Sequence, residues 1–177
     1  MSLSQLLHIE DKVRRLKRHM PELPGTETLI LRAAAILGRD LQTLLERRLK
    51  PAGLSEAEFR MLLSLRAHDG HACAGDLCAA LAQSPANLTR LSDALVERGL
   101  VSRTPDTEDR RRMLLTLNPA GESLLQNLLP RIRPEISAAF ADFNATEKKQ
   151  LLMSLKRLLA GIDAITADGD RSQDDLP

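Results

Sequence analysis

The chain has 177 residues and a formal net charge of +1 at neutral pH, with 43% hydrophobic residues and only 2% aromatic ones, among them no Trp and no Tyr. That length supports one sizeable core, or a core plus a helical extension. The scarcity of aromatic rings argues against a base-stacking sheet or single-strand groove; two cysteines give no disulfide framework and point to a reducing cytoplasm; no apolar run is long enough to cross a bilayer.

Residues 1–25 read as a leader. Its basic cluster, Lys12, Arg14, Arg15, Lys17 and Arg18, ends at PELPG, where two prolines and a glycine block a continuous helix. From Thr26 to Leu49, the residues Leu29, Ala33, Ile36, Leu37, Leu41, Leu44 and Leu45 recur at roughly helical spacing. KPAGL stops that helix. Ser55 with Glu58 forms a capping box for the next one, whose apolar stripe is Phe59, Leu62 and Leu63.

A short helix holding Ala74, Leu77 and Leu81 breaks at AQS. Its successor opens with Ser84 as N-cap and Pro85 at the first helical position, and closes at Arg98-Gly99 with a cation in the last turn and glycine beyond. Two short helices on a tight turn form a helix-turn-helix, whose second member commonly lies in the DNA major groove. Leu100–Thr104 and Met113–Leu117 alternate as strands, with Met113, Leu115 and Leu117 on one face. The hairpin they make, tipped by PDTEDRRR, turns the unit into a winged helix. A long helix begins in NPAGESLLQNLLPRIRPEI, where Pro130 and Pro134 predict a kink or a division. Asn144, with Glu147 as capping-box partner, opens the last helix. The predicted fold class is mainly α, an α+β winged helix: a DNA-binding lobe at 51–118, a helical dimerisation region at 26–50 and 119–166, and a frayed acidic tail at 167–177.

Because the net charge is so small, any contact with nucleic acid must come from local placement of charge. On the helix beginning at Pro85, Leu88, Leu91 and Leu95 share the inward face; Ala86, Thr89, Arg90, Asp93 and Glu97 face outward. Phosphates would repel the two acids. The groove-facing candidates are therefore Ser84, Pro85, Ala86, Asn87, Thr89 and Arg90, with Asn87 placed to read adenine and Arg90 to read guanine or hold a phosphate. In the hairpin, Arg110, Arg111 and Arg112 alternate in direction, so one can enter a minor groove while its neighbour holds a phosphate, and Asp109 is placed to orient one of them. A solvated amphipathic helix followed by a solvated turn is the plain competitor.

The segment SPANLTRLSDALVERGLVSRTPDTEDRRRMLLTLNPAG resembles the MarR family of bacterial transcription regulators. It has the look of that family's recognition helix, its glycine exit into the first strand, its D-x-R wing (here Asp109 and Arg111) and its closing strand before a glycine. The likeness extends over about residues 26–165. The leader, the LTR of the recognition helix and the TEKKQLL of the last helix are similar to the multidrug-efflux-repressor branch. The resemblance implies a homodimer joined by N- and C-terminal helices, on a pseudo-palindromic DNA operator, released by a phenolic or drug-like effector and repressing an efflux or stress operon. No cofactor is expected. The effector site of such relatives lies between the dimer helices and the winged lobe; by position alone Arg32, Ile36 and Met61 are its candidates. The residues also argue for a dimer by themselves, since one recognition helix and one wing bury too little for tight binding at physiological salt.

Two other readings stay open. His71, Cys73 and Cys78 suggest a metal- or thiol-responsive regulator, although their spacing is not that of a structural zinc site, no fourth ligand is evident, and no metal site is predicted. A winged-helix protein-interaction module is the other, separable by the salt dependence of any DNA binding. No nucleophile elbow, metalloprotease helix, P-loop or dinucleotide fingerprint is present, so the chain is not expected to be an enzyme.

Overall fold

A computed structural model describes residues 2–106 and 112–174, with side chains described as far as residue 166. Two compact units divide the chain, Met1–Ile132 and Arg133–Pro177.

The first unit opens on a helical hairpin. The segment read as a leader is itself a helix, α1 (Ser2–His19), lying against α2 (Gly25–Leu49). Its narrow inward stripe of Leu6, Ile9 and Val13 is hard to see among so many charges and acquires meaning only once α2 covers it. Thr28 Oγ donates to Pro24 O at 2.8 Å in the first turn of α2. α3 (Glu56–Ala67) starts as expected: Ser55 N donates to Glu58 Oε2 at 2.7 Å and Glu58 N returns to Ser55 Oγ at 3.3 Å.

α4 (Ala74–Leu81), α5 (Pro85–Glu97), β2 (Val101–Pro105) and β3 (Met113–Leu117) follow within a residue or two of their predicted positions. Alternation does not disclose β1 (His71–Cys73), which is too short to carry a period. It pairs antiparallel with β3, giving a three-stranded sheet in the order β1-β3-β2. Leu49, Met61, Leu62, Leu65, Leu77 and Leu95 are wholly buried where α3, α4, α5 and the sheet converge, with Val101 and Leu115 from the wing beside them.

α6 (Pro119–Ala139) is one continuous helix through Pro130 and Pro134, so the prolines do not divide it. Each removes one backbone donor and crowds one carbonyl; Leu125, Leu128 and Ile132, buried against the core, hold the helix across the first of them. In the second unit, Phe140 and Phe143 meet edge to face at 5.8 Å. α7 (Ala145–Asp174) then starts with Asn144 Oδ1 accepting from Thr146 N and Glu147 N at 2.9 and 3.0 Å while Asn144 N donates to Glu147 Oε2 at 2.8 Å. The helix continues to Asp174, where the sequence suggests a frayed tail from residue 167. Among the described residues, no helix is long and apolar enough to cross a membrane.

Gly121 sets how closely α6 meets the wing. A Cβ there would sit 2.7 Å from Leu117 Cδ1 and nearer still to Leu100 O, and a backbone oxygen cannot give way as a side chain can. Gly121→Ala should cost about 2 kcal/mol and lower the melting temperature by roughly 5 °C. Calorimetry checks this, and an unchanged melting temperature would refute the close packing.

Candidate functional site

α5 is fastened at both ends. Ser84 Oγ accepts from Asn87 N at 3.3 Å and Pro85 follows it, as the start signature requires. At the far end Leu100 N donates to Leu95 O at 3.0 Å and Gly99 N to Val96 O at 2.9 Å, with Gly99 at φ +67° supplying the left-handed turn. Arg98 adds an anchor. Its Nη1 and Nη2 donate to Gly53 O and Ala52 O, both at 2.7 Å. With Leu88, Leu91 and Leu95 buried beneath, Ser84, Pro85, Ala86, Thr89 and Arg90 stand exposed on one surface and Asn87 lies half-buried at its edge.

The side chains of that surface are partly committed to one another. Thr89 Oγ donates to Pro85 O at 2.9 Å, so outward it offers a methyl group and acceptor lone pairs. Arg90 donates through Nε at 3.3 Å and Nη2 at 3.0 Å to Asn87 Oδ1, while Asn87 Nδ2 donates to Gln83 Oε1. Asn87, expected to offer its amide to adenine, instead has both ends of that amide engaged inside the protein.

The wing is tied to α5 by Arg103, which the sequence reading does not single out. Its Nη2 lies 2.8 Å from Asp93 Oδ1 and also donates to Ser92 Oγ, the buried hydroxyl that itself donates to Thr89 O at 2.9 Å. The signal is present: Val101 and Arg103 lie on one face of β2, and a cation on the inward face of a strand needs a carboxylate opposite. Paired with Arg103, Asp93 carries little repulsion for an approaching anion. At the wing's base, Asp106 N donates to Arg112 O at 2.9 Å, and the exposed Arg112 reaches Asp76 Oδ2 at 3.3 Å. Arg112 thus joins wing and α4. Asp109, Arg110 and Arg111 lie outside the described residues.

A cavity of about 270 Å³ opens between α4, α5 and the wing strands, lined among others by Cys78, Pro85, Leu88, Thr89, Arg103 and Met113. Of the residues proposed by position for an effector, Arg32 is exposed, Ile36 is half-buried and Met61 is a fully buried core side chain. None of the three lines this cavity. His71, Cys73 and Cys78 do not converge: His71 is exposed on β1, Cys73 is the buried N-cap residue of α4, and Cys78 faces the cavity. Among the described residues, no group of three or more His, Cys, Asp or Glu could hold a metal ion. Burial raises the Cys73 thiol above the ordinary cysteine range; nearby Arg112 opposes this, and the bond to Asp106 Oδ2 at 3.6 Å adds to it.

Comparison with known proteins finds relatives of this fold. Residues 54–113 match the model of the MarR family. The transcriptional repressor MprA of Escherichia coli K12 is 30% identical over 156 residues, spanning 88% of each chain. AbsC, a MarR family transcriptional regulator from Streptomyces coelicolor, superposes with a TM-score of 0.73 at 24% identity, over 80% of this chain and 97% of its own. A cysteine-to-serine mutant of Escherichia coli MarR, crystallised with operator DNA, superposes with a TM-score of 0.66 at 25% identity, over 78% of this chain and 99% of its own.

The two thiols should differ in reactivity. Cys73, buried and with a raised pKa, stays protonated at pH 8, whereas Cys78 opens onto a cavity. Under limiting iodoacetamide, peptide mass spectrometry should find Cys78 alkylated well before Cys73. Equal rates in the native chain would contradict this arrangement.

Proposed function

The chain belongs to the MarR family of transcriptional regulators, and from that premise we propose that it is a homodimeric, effector-released repressor reading a pseudo-palindromic operator. The observation that carries this reading is the exposed N-terminal half of α5, held beside the wing by Arg103. Ser84, Pro85, Ala86, Asn87, Thr89 and Arg90 are assigned to the major groove. Asp109, Arg110, Arg111 and Arg112 are assigned to the wing that follows the backbone into the neighbouring minor groove. In such an arrangement Arg90 reads base edges, the wing arginines hold register, and the paired Asp93 does not oppose approach.

Support for a dimer comes from α7. Leu152 is 54% exposed, Leu159 60% and Ile165 74%, a density of exposed apolar side chains that a soluble monomer rarely carries. A groove of about 410 Å³ lined by Ile136, Phe140, Leu151, Leu152 and Leu155 runs along the same unit. A second copy of the chain covers this surface and sets two recognition helices about one helical turn of DNA apart. Replacing both Leu152 and Leu159 by Glu should convert the dimer to monomer in sedimentation velocity and abolish operator binding.

Release by a small molecule draws support from the cavity behind α5, a second candidate beside the site at Arg32, Ile36 and Met61. About 270 Å³ suits a single substituted ring, and Arg103 would receive its carboxylate or phenolate. An anion there competes with Asp93 for Arg103 and loosens the wing from α5. MprA being a repressor and the MarR mutant having been crystallised on operator DNA, repression at an operator is the mode this reading favours, with an efflux or stress operon as its proposed setting.

Fluorescence anisotropy on the duplex upstream of the chain's own gene, titrated with salt and with salicylate, tests the proposal. The expected result is specific binding that weakens steeply with salt, is released by salicylate, and falls about tenfold or more in Arg111→Ala while the dimer persists. Specific binding indifferent to salicylate would remove the effector assignment. Failure to bind that duplex or random genomic fragments would favour a protein partner for the wing.

A further inference from the structure

Three polar side chains link the turn of the helix-turn-helix to the outer face of α5. Ala82, at φ +50°, closes α4 in the left-handed conformation, and Gln83 follows with its backbone N donating to Cys78 O at 3.0 Å. Gln83 Nε2 donates to Leu81 O at 3.4 Å, and its Oε1 accepts from Asn87 Nδ2. Asn87 Oδ1 then accepts from Arg90 Nε and Nη2 at 3.3 and 3.0 Å.

The direction of this chain is forced. A guanidinium has donors and no acceptor. Asn87 must therefore turn its oxygen toward Arg90, which leaves its NH₂ toward Gln83, and Gln83 must present an oxygen in reply. Flipping either amide breaks the chain. With Nε and one Nη2 hydrogen taken by Asn87, the guanidinium turns outward the fork formed by Nη1 and the remaining Nη2 hydrogen. Two parallel donors match the O6 and N7 acceptors of guanine. An arginine without such a brace satisfies itself on phosphate oxygens as readily, and a phosphate carries no sequence information.

We propose that Gln83 is a specificity-determining positioning residue: acting through Asn87, it holds the Arg90 fork in the orientation that reads guanine. This rests on the DNA-binding reading above. Gln83 touches no DNA in this scheme, and Asn87 is a strut and not the reader of an adenine.

In vitro selection from a randomised duplex pool tests it on the full-length chain. Wild type should enrich sequences with an invariant guanine at one position of each half-site, and Arg90→Ala should lose that preference. Gln83→Leu, which removes the acceptor oxygen, should lower the preference for that guanine by about tenfold while leaving the salt dependence of binding to random duplex unchanged. Gln83→Glu keeps an acceptor and should keep the preference, although its charge weakens binding to every duplex. Adding Gln83→Leu to Arg90→Ala should change the selected sequences no further. If a lowered melting temperature shows that Gln83→Leu is misfolded, Gln83→Met, of similar length and without an acceptor oxygen, takes its place.

An intact guanine preference in Gln83→Leu or Gln83→Met, beside a lost one in Arg90→Ala, would overturn the relay and leave the DNA-binding reading standing. Loss of the preference in Gln83→Glu would overturn the acceptor role. Absence of any enrichment by wild type would overturn the regulator reading itself.

Discussion

The rotation of α5 about its own axis is the constraint on which the site depends. Leu88, Leu91 and Leu95 are almost wholly buried, and each contributes on the order of 2 kcal/mol by leaving water. Turning the helix by one residue, about 100°, would expose that stripe and drive Thr89 or Arg90 into the core. The choice of outward side chains is therefore settled by hydrophobic burial before any polar contact forms. The caps at Ser84 and Gly99 fix where the helix begins and ends, and the remaining bonds adjust side chains on a helix already held.

Electrostatics work here through placement. A chain with a net charge of +1 cannot attract a polyanion in bulk, and the outer face of α5 carries two acids in its second half. The ion pair between Arg103 and Asp93 is partly exposed and adds no more than about 1 kcal/mol to stability. Its positional effect is larger: it neutralises one negative charge beside the candidate surface and joins the wing strand to the helix. Arg112 does the same at the base of the wing through Asp76. Both arginines thus shape a surface beyond the charge they bring to it.

Most of the fold was legible because the chain marks its own boundaries. The Ser55–Glu58 and Asn144–Glu147 boxes, the Ser84-Pro85 start and the Arg98-Gly99 stop all lie where the helices begin and end. What escaped reading depended on a partner distant in sequence. β1 spans three residues and exists only because β3 pairs with it. α1 needs α2 to give its thin apolar stripe a purpose. The prolines of α6 suggest a kink or a division; the helix is not divided, and the packing of Leu125, Leu128 and Ile132 holds it across Pro130. The candidate surface on α5 could be drawn from helical spacing, whereas the engagement of Asn87 and the bridging by Arg103 could not, because each requires knowing which neighbour stands within about 3 Å. Position in sequence cannot show how far a side chain is buried: Met61 is wholly buried in the core, Ile36 half-buried and Arg32 exposed.

Arg98 gives the lobe a mechanical property. Its guanidinium grips the carbonyls of Ala52 and Gly53, at the close of the short turn that follows α2, while the opposite end of α5 is seated on the turn after α4. A helix anchored at its last turn to that segment and at its first to the turn after α4 is coupled to both. A displacement at the end of α2 would reach α5 first at its last turn, the end farther from Ser84 and Arg90. What the outer face of α5 presents is thereby tied to residues that lie nowhere on that face.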